Sequence, residues 1–166
     1  MNAKHLVVEV FEKRSPEMFK DVVKKALELM ENAEDEYTKA YAQGMLDISK
    51  TVLKIWRFYW PPKVEIELVF EDPNSAERTF KAFKKVFGRA SKNSRNVDGR
   101  IYPAVAVDWE DWRTIMITSN SRPSIIDMIV ERYLKQKSKE RAYRELTEDL
   151  APIILLHGGE KSEGLR

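Results

Sequence analysis

Cysteine is absent from this chain of 166 residues. Disulfides, thiolate zinc sites and cysteine nucleophiles are excluded together. The only two histidines, His5 and His157, stand near opposite ends of the sequence, in no metal-ligand spacing and beside no triad pattern. With six glycines in all, there is no phosphate-cradling glycine loop, and no G-x-S-x-G elbow appears. Apolar runs such as residues 153–156 are far too short to span a bilayer. Residues 1–11 lack the basic start and long apolar core of a secretory signal. These absences lead to the expectation of a cytoplasmic protein, not an enzyme, with no cofactor and no resident metal.

What is present is mainly charge. Charged residues make up 34% of the chain, against about 25% in an average soluble protein. Gln43 and Gln136 are the only glutamines. Few thermolabile side chains beside many ion-pairing ones is a thermophile-like habit. The 43% hydrophobic content is enough to bury a core, so the reading is one domain over residues 1–159 with a disordered tail at 160–166. Net charge is only +2, and the distribution matters more. Residues 28–36 hold five acids and no base; residues 84–100 hold six bases and the single acid Asp98. A second basic run contains Arg132, Lys135, Lys137, Lys139, Arg141 and Arg144, with Glu140 inside it.

Periodicity suggests the elements. Residues 6–11 read as a strand, and Ser15-Pro16 opens a helix with Phe19, Val23, Ala26 and Met30 inward. After a polar turn at 32–36, Tyr37, Tyr41, Met45, Ile48, Val52, Ile55 and Tyr59 form a helical stripe that Pro61 and Pro62 end. Residues 16–60 are thus expected to form a helical hairpin, or one long helix, standing as an insert or arm. Val64, Ile66, Leu68 and Phe70 alternate with glutamates as a half-buried strand. Asp72 to Ser75 form a turn and cap before a helix that Gly88 stops. Residues 89–100 read as a mobile loop. Residues 101–107 and 112–118 read as two strands joined by a hairpin at 108–111, and a final helical region breaks near Ser138. The expected fold is α+β, with a four-stranded, mostly antiparallel sheet packed with helices.

Three surfaces are candidates for function. Lys84, Lys85, Arg89, Lys92, Arg95 and Arg100 lie in and just before the basic loop, where they could contact phosphates and release counterions. This makes nucleic acid, RNA in preference to DNA, the leading partner for a non-catalytic or accessory subunit; no membrane partner is expected. The second candidate is a protein-interaction or homo-oligomer interface at Tyr37, Tyr41, Trp56, Phe58, Tyr59 and Trp60. Aromatics of this kind anchor partners or stack bases. The third is a metal-dependent enzyme centred on Asp108, Glu110 and Asp111, because clustered carboxylates hold hard cations when further oxygens converge. Turn chemistry and packing by Trp109 and Trp112 explain that cluster more simply.

Two stretches carry a resemblance to a known family. The first is Val64-Glu65-Ile66-Glu67-Leu68-Val69-Phe70 entering Ser75-Ala76-Glu77, and the second is Ile115-Met116-Ile117-Thr118 entering Ser124-Ile125-Ile126. Over residues 64–137 the chain loosely resembles the small dimerisation subunit of the KEOPS tRNA-modifying complex. The family's Leu-Arg pairing and the Asn at the start of its last helix are missing here, and about sixty preceding residues have no counterpart in it. The resemblance implies a non-catalytic subunit that dimerises through its helices and helps hold tRNA.

Overall fold

Alternation of Val64, Ile66, Leu68 and Phe70 with Glu65 and Glu67 is realised as an interior strand of the sheet, Lys63–Phe70. The computed structural model describes the backbone of residues 5–10, 16–56, 59–118, 125–150 and 154–158. In chain order these form β1 (His5–Val10), α1 (Pro16–Asn32), α2 (Glu36–Asp47), β2 (Ile48–Trp56), β3 (Lys63–Phe70), α3 (Pro73–Phe87) and β4 (Ser91–Val97). They continue with β5 (Arg100–Asp108), α4 (Trp109–Thr118), α5 (Ile125–Leu134), α6 (Lys139–Leu150) and β6 (Ile154–Gly158). The strands form one sheet in the order β4-β5-β3-β2-β1-β6, with every neighbouring pair antiparallel.

The two faces of the sheet differ. Leu53, Ile55, Ile66, Leu68, Phe70, Val105 and Val107 point to one side. There they share a core with Tyr41 and Met45 of α2, Phe83 of α3, Trp112 of α4, Ile126 and Val130 of α5 and Leu146 of α6. The opposite face carries a small cluster of Val52, Val69 and Ala104 with Tyr102 against it. Among the described residues, no helical side chain joins that cluster.

Local chemistry explains the ends of α3. Asp72 caps it by accepting from the Ser75 N–H at 2.9 Å, Pro73 follows in the first turn, and Gly88 closes it at φ 76° with its N–H on the Lys84 carbonyl. Bonds from the Ser75 hydroxyl and N–H hold the Asp72 carboxyl below the usual range. The expected break near Ser138 is present: α5 ends at Leu134, and the Ser138 hydroxyl accepts from the Arg141 N–H at 3.3 Å to cap α6.

The α+β class and the antiparallel sheet packed with helices hold, with six strands where four were expected. The helical stripe over 37–59 ends at Asp47, and residues 48–56 are β2, paired with both β1 and β3. Residues at three- and four-step spacing fit a helix, but Ile48, Thr51, Val52 and Ile55 are β-branched, and two neighbouring strands satisfy their backbone. The helical hairpin is therefore α1 and α2 alone, with the polar turn between them where expected, and it is no arm. Tyr41 packs edge-on against Phe83 at 5.4 Å. A Cβ on Gly44 would lie 1.8 Å from the Thr79 hydroxyl, so α2 and α3 touch at backbone distance there.

Residues 91–97 form β4 and not a loop. Asp98 and Gly99 make the turn, with φ 51° and 86°, the positive pair that a two-residue hairpin favours. Residues 112–118, expected as a strand, belong to α4. The supposed 108–111 hairpin is a strand-to-helix junction: Asp108 accepts from the Glu110 N–H at 2.8 Å and so caps the helix. The second KEOPS parallel, drawn through a strand at 115–118, thus falls on a helix.

Candidate nucleic-acid interface

The pleat of the β4–β5 hairpin decides where its basic side chains go. Successive residues point to opposite faces, so Lys92 and Arg95 leave β4 on different sides. Lys92 turns toward α3, where its ammonium lies 2.9 Å from Glu77 and 5.1 Å over the Phe80 ring. Arg95 turns to the opposite face and bonds Glu67 through its Nε. Asn93 donates to the same carboxylate at 3.1 Å, and the Lys54 ammonium lies 3.4 Å from it. Glu67 is 1% exposed, a buried acid satisfied by two cations and an amide.

Arg89 is also committed internally. Its guanidinium makes a two-pronged contact with Asp111 at 2.8 and 3.0 Å and approaches Asp108 at 3.5 Å. Its charge is held still more firmly than usual, first by the Asp111 bond. Arg89 thereby ties the end of α3 to the start of α4. The exposed Lys84 and Lys85 sit in the last turn of α3, a position that the helix dipole favours for cations. Arg100 begins β5, exposed, with its guanidinium 4.6 Å over the Tyr102 ring and beside Ile101, which is 65% exposed.

The six bases expected to act as one loop are therefore divided. Lys84, Lys85 and Arg89 gather at one end of the sheet, and Arg100 lies at the other. The length of β4 separates these groups, about 20 Å at the usual rise per residue. Arg89, Lys92 and Arg95 act as clamps holding the hairpin and its neighbours in place.

The aromatic set divides as well. Tyr41 is a core residue, and burial pushes its phenol well above the usual range. Trp56 is half-buried on β2, donating from Nε1 to Glu65 at 2.5 Å with the Lys63 ammonium 5.7 Å from its ring. Tyr59 and Trp60, in the connection between β2 and β3, are 54% and 42% exposed. Two prolines follow and stiffen the chain. Phe58 and the tail at 160–166 lie outside the described residues, as does the side chain of Tyr37.

The acidic cluster does not converge. Asp108 caps α4, Asp111 holds Arg89, and Glu110 is exposed. Among the described residues no group of three or more His, Cys, Asp or Glu is placed to hold a metal ion. No helix among them is long and apolar enough to cross a membrane. A cavity of about 20 Å³ between α2, α3 and α4, lined by Met45, Phe83 and Met116 with Tyr41 and Thr79, has the size of one water.

No family model, curated protein or solved structure matches the chain. The basic run at 132–144 and the break near Ser138 inside it were both legible in the sequence; which of its bases keep an acid partner was not. The network centred on Glu67 was missed, since β4 has no apolar period. The Asp98-Gly99 pair, a strong hairpin signal, could have revealed the strand.

Proposed function

We propose that this chain is a non-catalytic nucleic-acid-binding or accessory subunit, taking RNA in preference to DNA. The observation that carries the reading is the Arg100–Tyr102 stack on the exposed β4–β5 hairpin. A cation over an aromatic ring, beside exposed apolar surface, is the combination with which proteins meet single-stranded backbones and bases. Lys84 and Lys85 add exposed charge from α3. The likeness of residues 64–77 to the KEOPS dimerisation subunit is in line with the accessory role; the parallel through residues 115–118 adds nothing, since these belong to α4.

The test is binding of a labelled single-stranded RNA across a salt series from about 50 to about 200 mM. The logarithm of affinity should fall against that of salt by about 0.7 per phosphate contact. Binding insensitive to salt, or absent at low salt, would overturn the reading. A second reading, self-association or a protein partner, is favoured by the exposed Tyr59 and Trp60, since aromatics of this kind anchor interfaces.

A further inference from the structure

The second basic run closes around one turn. α5 and α6 are joined by residues 135–138, and the inner side of this connection is tightly built. The Lys135 N–H bonds the Glu131 carbonyl and the Gln136 N–H the Tyr133 carbonyl, both at 3.2 Å. The Tyr133 and Tyr143 rings meet edge-on at 6.0 Å, and the Gln136 amide reaches Glu145. Beneath them Val130, Ala142 and Leu146 are fully buried. The turn is a rigid platform.

Its outer side is almost entirely cationic. Arg132, Lys135, Lys137, Lys139, Arg141 and Arg144 are all exposed. The nearby acids do little to offset them. Glu131 is bonded to Arg113 at 3.0 Å, Glu145 is taken by Arg141 at 3.1 Å and by Gln136, and the exposed Glu140 and Glu148, each one turn from Arg144, remain. Lys135, Lys137, Lys139 and Arg144 make no ion pair among the described residues. Helix stability does not explain the pattern either. Lys137 and Lys139 flank the Ser138 cap at the start of α6, where the helix dipole disfavours cations.

We infer that the outer face of the α5–α6 turn, through Lys135, Lys137, Lys139 and Arg144, is a surface that contacts the phosphate backbone of a nucleic acid. The inference rests on the nucleic-acid reading above and adds this turn to the β4–β5 hairpin as its larger electrostatic contact. A membrane surface fits less well. Ile126, Ile129, Val130, Ala142 and Leu146 are committed to the core, and of the described apolar residues of these helices only Met128 and Leu134 are left exposed. That is short of the continuous apolar face that an interfacial helix inserts. From Lys139 to Arg144 α6 rises about 7.5 Å, and with the turn before it the cations can follow several phosphates of one strand.

The experiment titrates a short fluorescein-labelled oligouridine against the full chain and two variants at several salt concentrations. One variant carries Lys135→Gln, Lys137→Gln and Lys139→Gln; the other carries Lys84→Gln, Lys85→Gln and Arg100→Gln. The first should weaken binding roughly tenfold at low salt and flatten the salt slope by about 2, at about 0.7 per lost phosphate contact. The second should also weaken binding, but by a smaller factor than the first. Lys84 and Lys85 lie about 20 Å from Arg100, and a short strand meets fewer of them at once. Lys→Arg at the same three turn positions should retain binding, separating charge from local structure. If the second variant loses binding and the first does not, the inference falls while the nucleic-acid reading stands. If the parent binds no RNA at low salt, both fall. Displacement of the RNA by polyglutamate at equal charge concentration would overturn the assignment to nucleic acid in favour of an acidic protein.

Discussion

Glu67 faces Lys54 and Arg95, whose side chains are only 13% and 15% exposed. Removing the acid leaves two mostly buried cations without their shared counter-charge. Glu67→Ala should therefore cost about 3–5 kcal/mol, the range for breaking a buried ion pair from one side. Urea denaturation checks this. Glu67→Leu combined with Lys54→Met and Arg95→Met should recover most of the loss, because the desolvation of all three charges is removed together. Asp127 behaves differently. Burial raises its carboxyl above the ordinary range, with Arg113 at 3.4 Å only partly countering it. A raised folded-state value means that the folded protein holds the proton more tightly than the unfolded chain. The stability from this group is complete below the unfolded value and lost as pH rises through the folded one. Relative to Asp127→Asn, the parent should gain thermal stability on acidification from neutral pH toward the ordinary aspartate range. Parallel melting curves that never converge or diverge with pH would contradict this.

At the level of elements, α2 and α3 approach closely at Gly44. Alanine in a helix is ordinarily better than glycine by about 1 kcal/mol. At Gly44 the added methyl would meet the Thr79 hydroxyl at 1.8 Å and its Cβ at 2.9 Å. Gly44→Ala should thus be destabilising, by about 1–3 kcal/mol for overpacking, and Thr79→Ala should restore only part of the loss because the Cβ contact remains. Chemical denaturation of the single and double variants measures both effects. The ends of α3 and the start of α6 were readable locally, since Asp72-Pro73, Gly88 and Ser138 act on backbone groups a few residues away. Residues 48–56 were not. Ile48, Val52 and Ile55 fit a helical stripe as well as a strand, and pairing with β1 and β3 settled the matter.

Across the whole molecule, Tyr59 and Trp60 stand in the connection between two interior strands without belonging to the core. Trp60→Ser should leave stability within about 0.5 kcal/mol of the parent, as for surface substitutions generally. If the aromatic pair forms an interface between copies, sedimentation should show weaker self-association in this variant. A large loss of stability without any change in association would show instead that Trp60 supports the fold.

Composition and local pattern were enough to reach the class of fold, the antiparallel character of the sheet, most helix ends and the absence of thiol chemistry. These rest on hydrophobic period and on side chains that bond their own neighbours. The arrangement of the candidate site depended on contacts distant in sequence. Arg95 is neutralised by Glu67, Lys92 by Glu77 and Arg89 by Asp111, partners 28, 15 and 22 residues away. Bases adjacent in the chain were sent to opposite faces by the pleat of β4, while those around Ser138 were gathered onto one exposed turn. A charge run shows how many cations a chain carries; folding sets which of them keep an acid beside them and which face solvent.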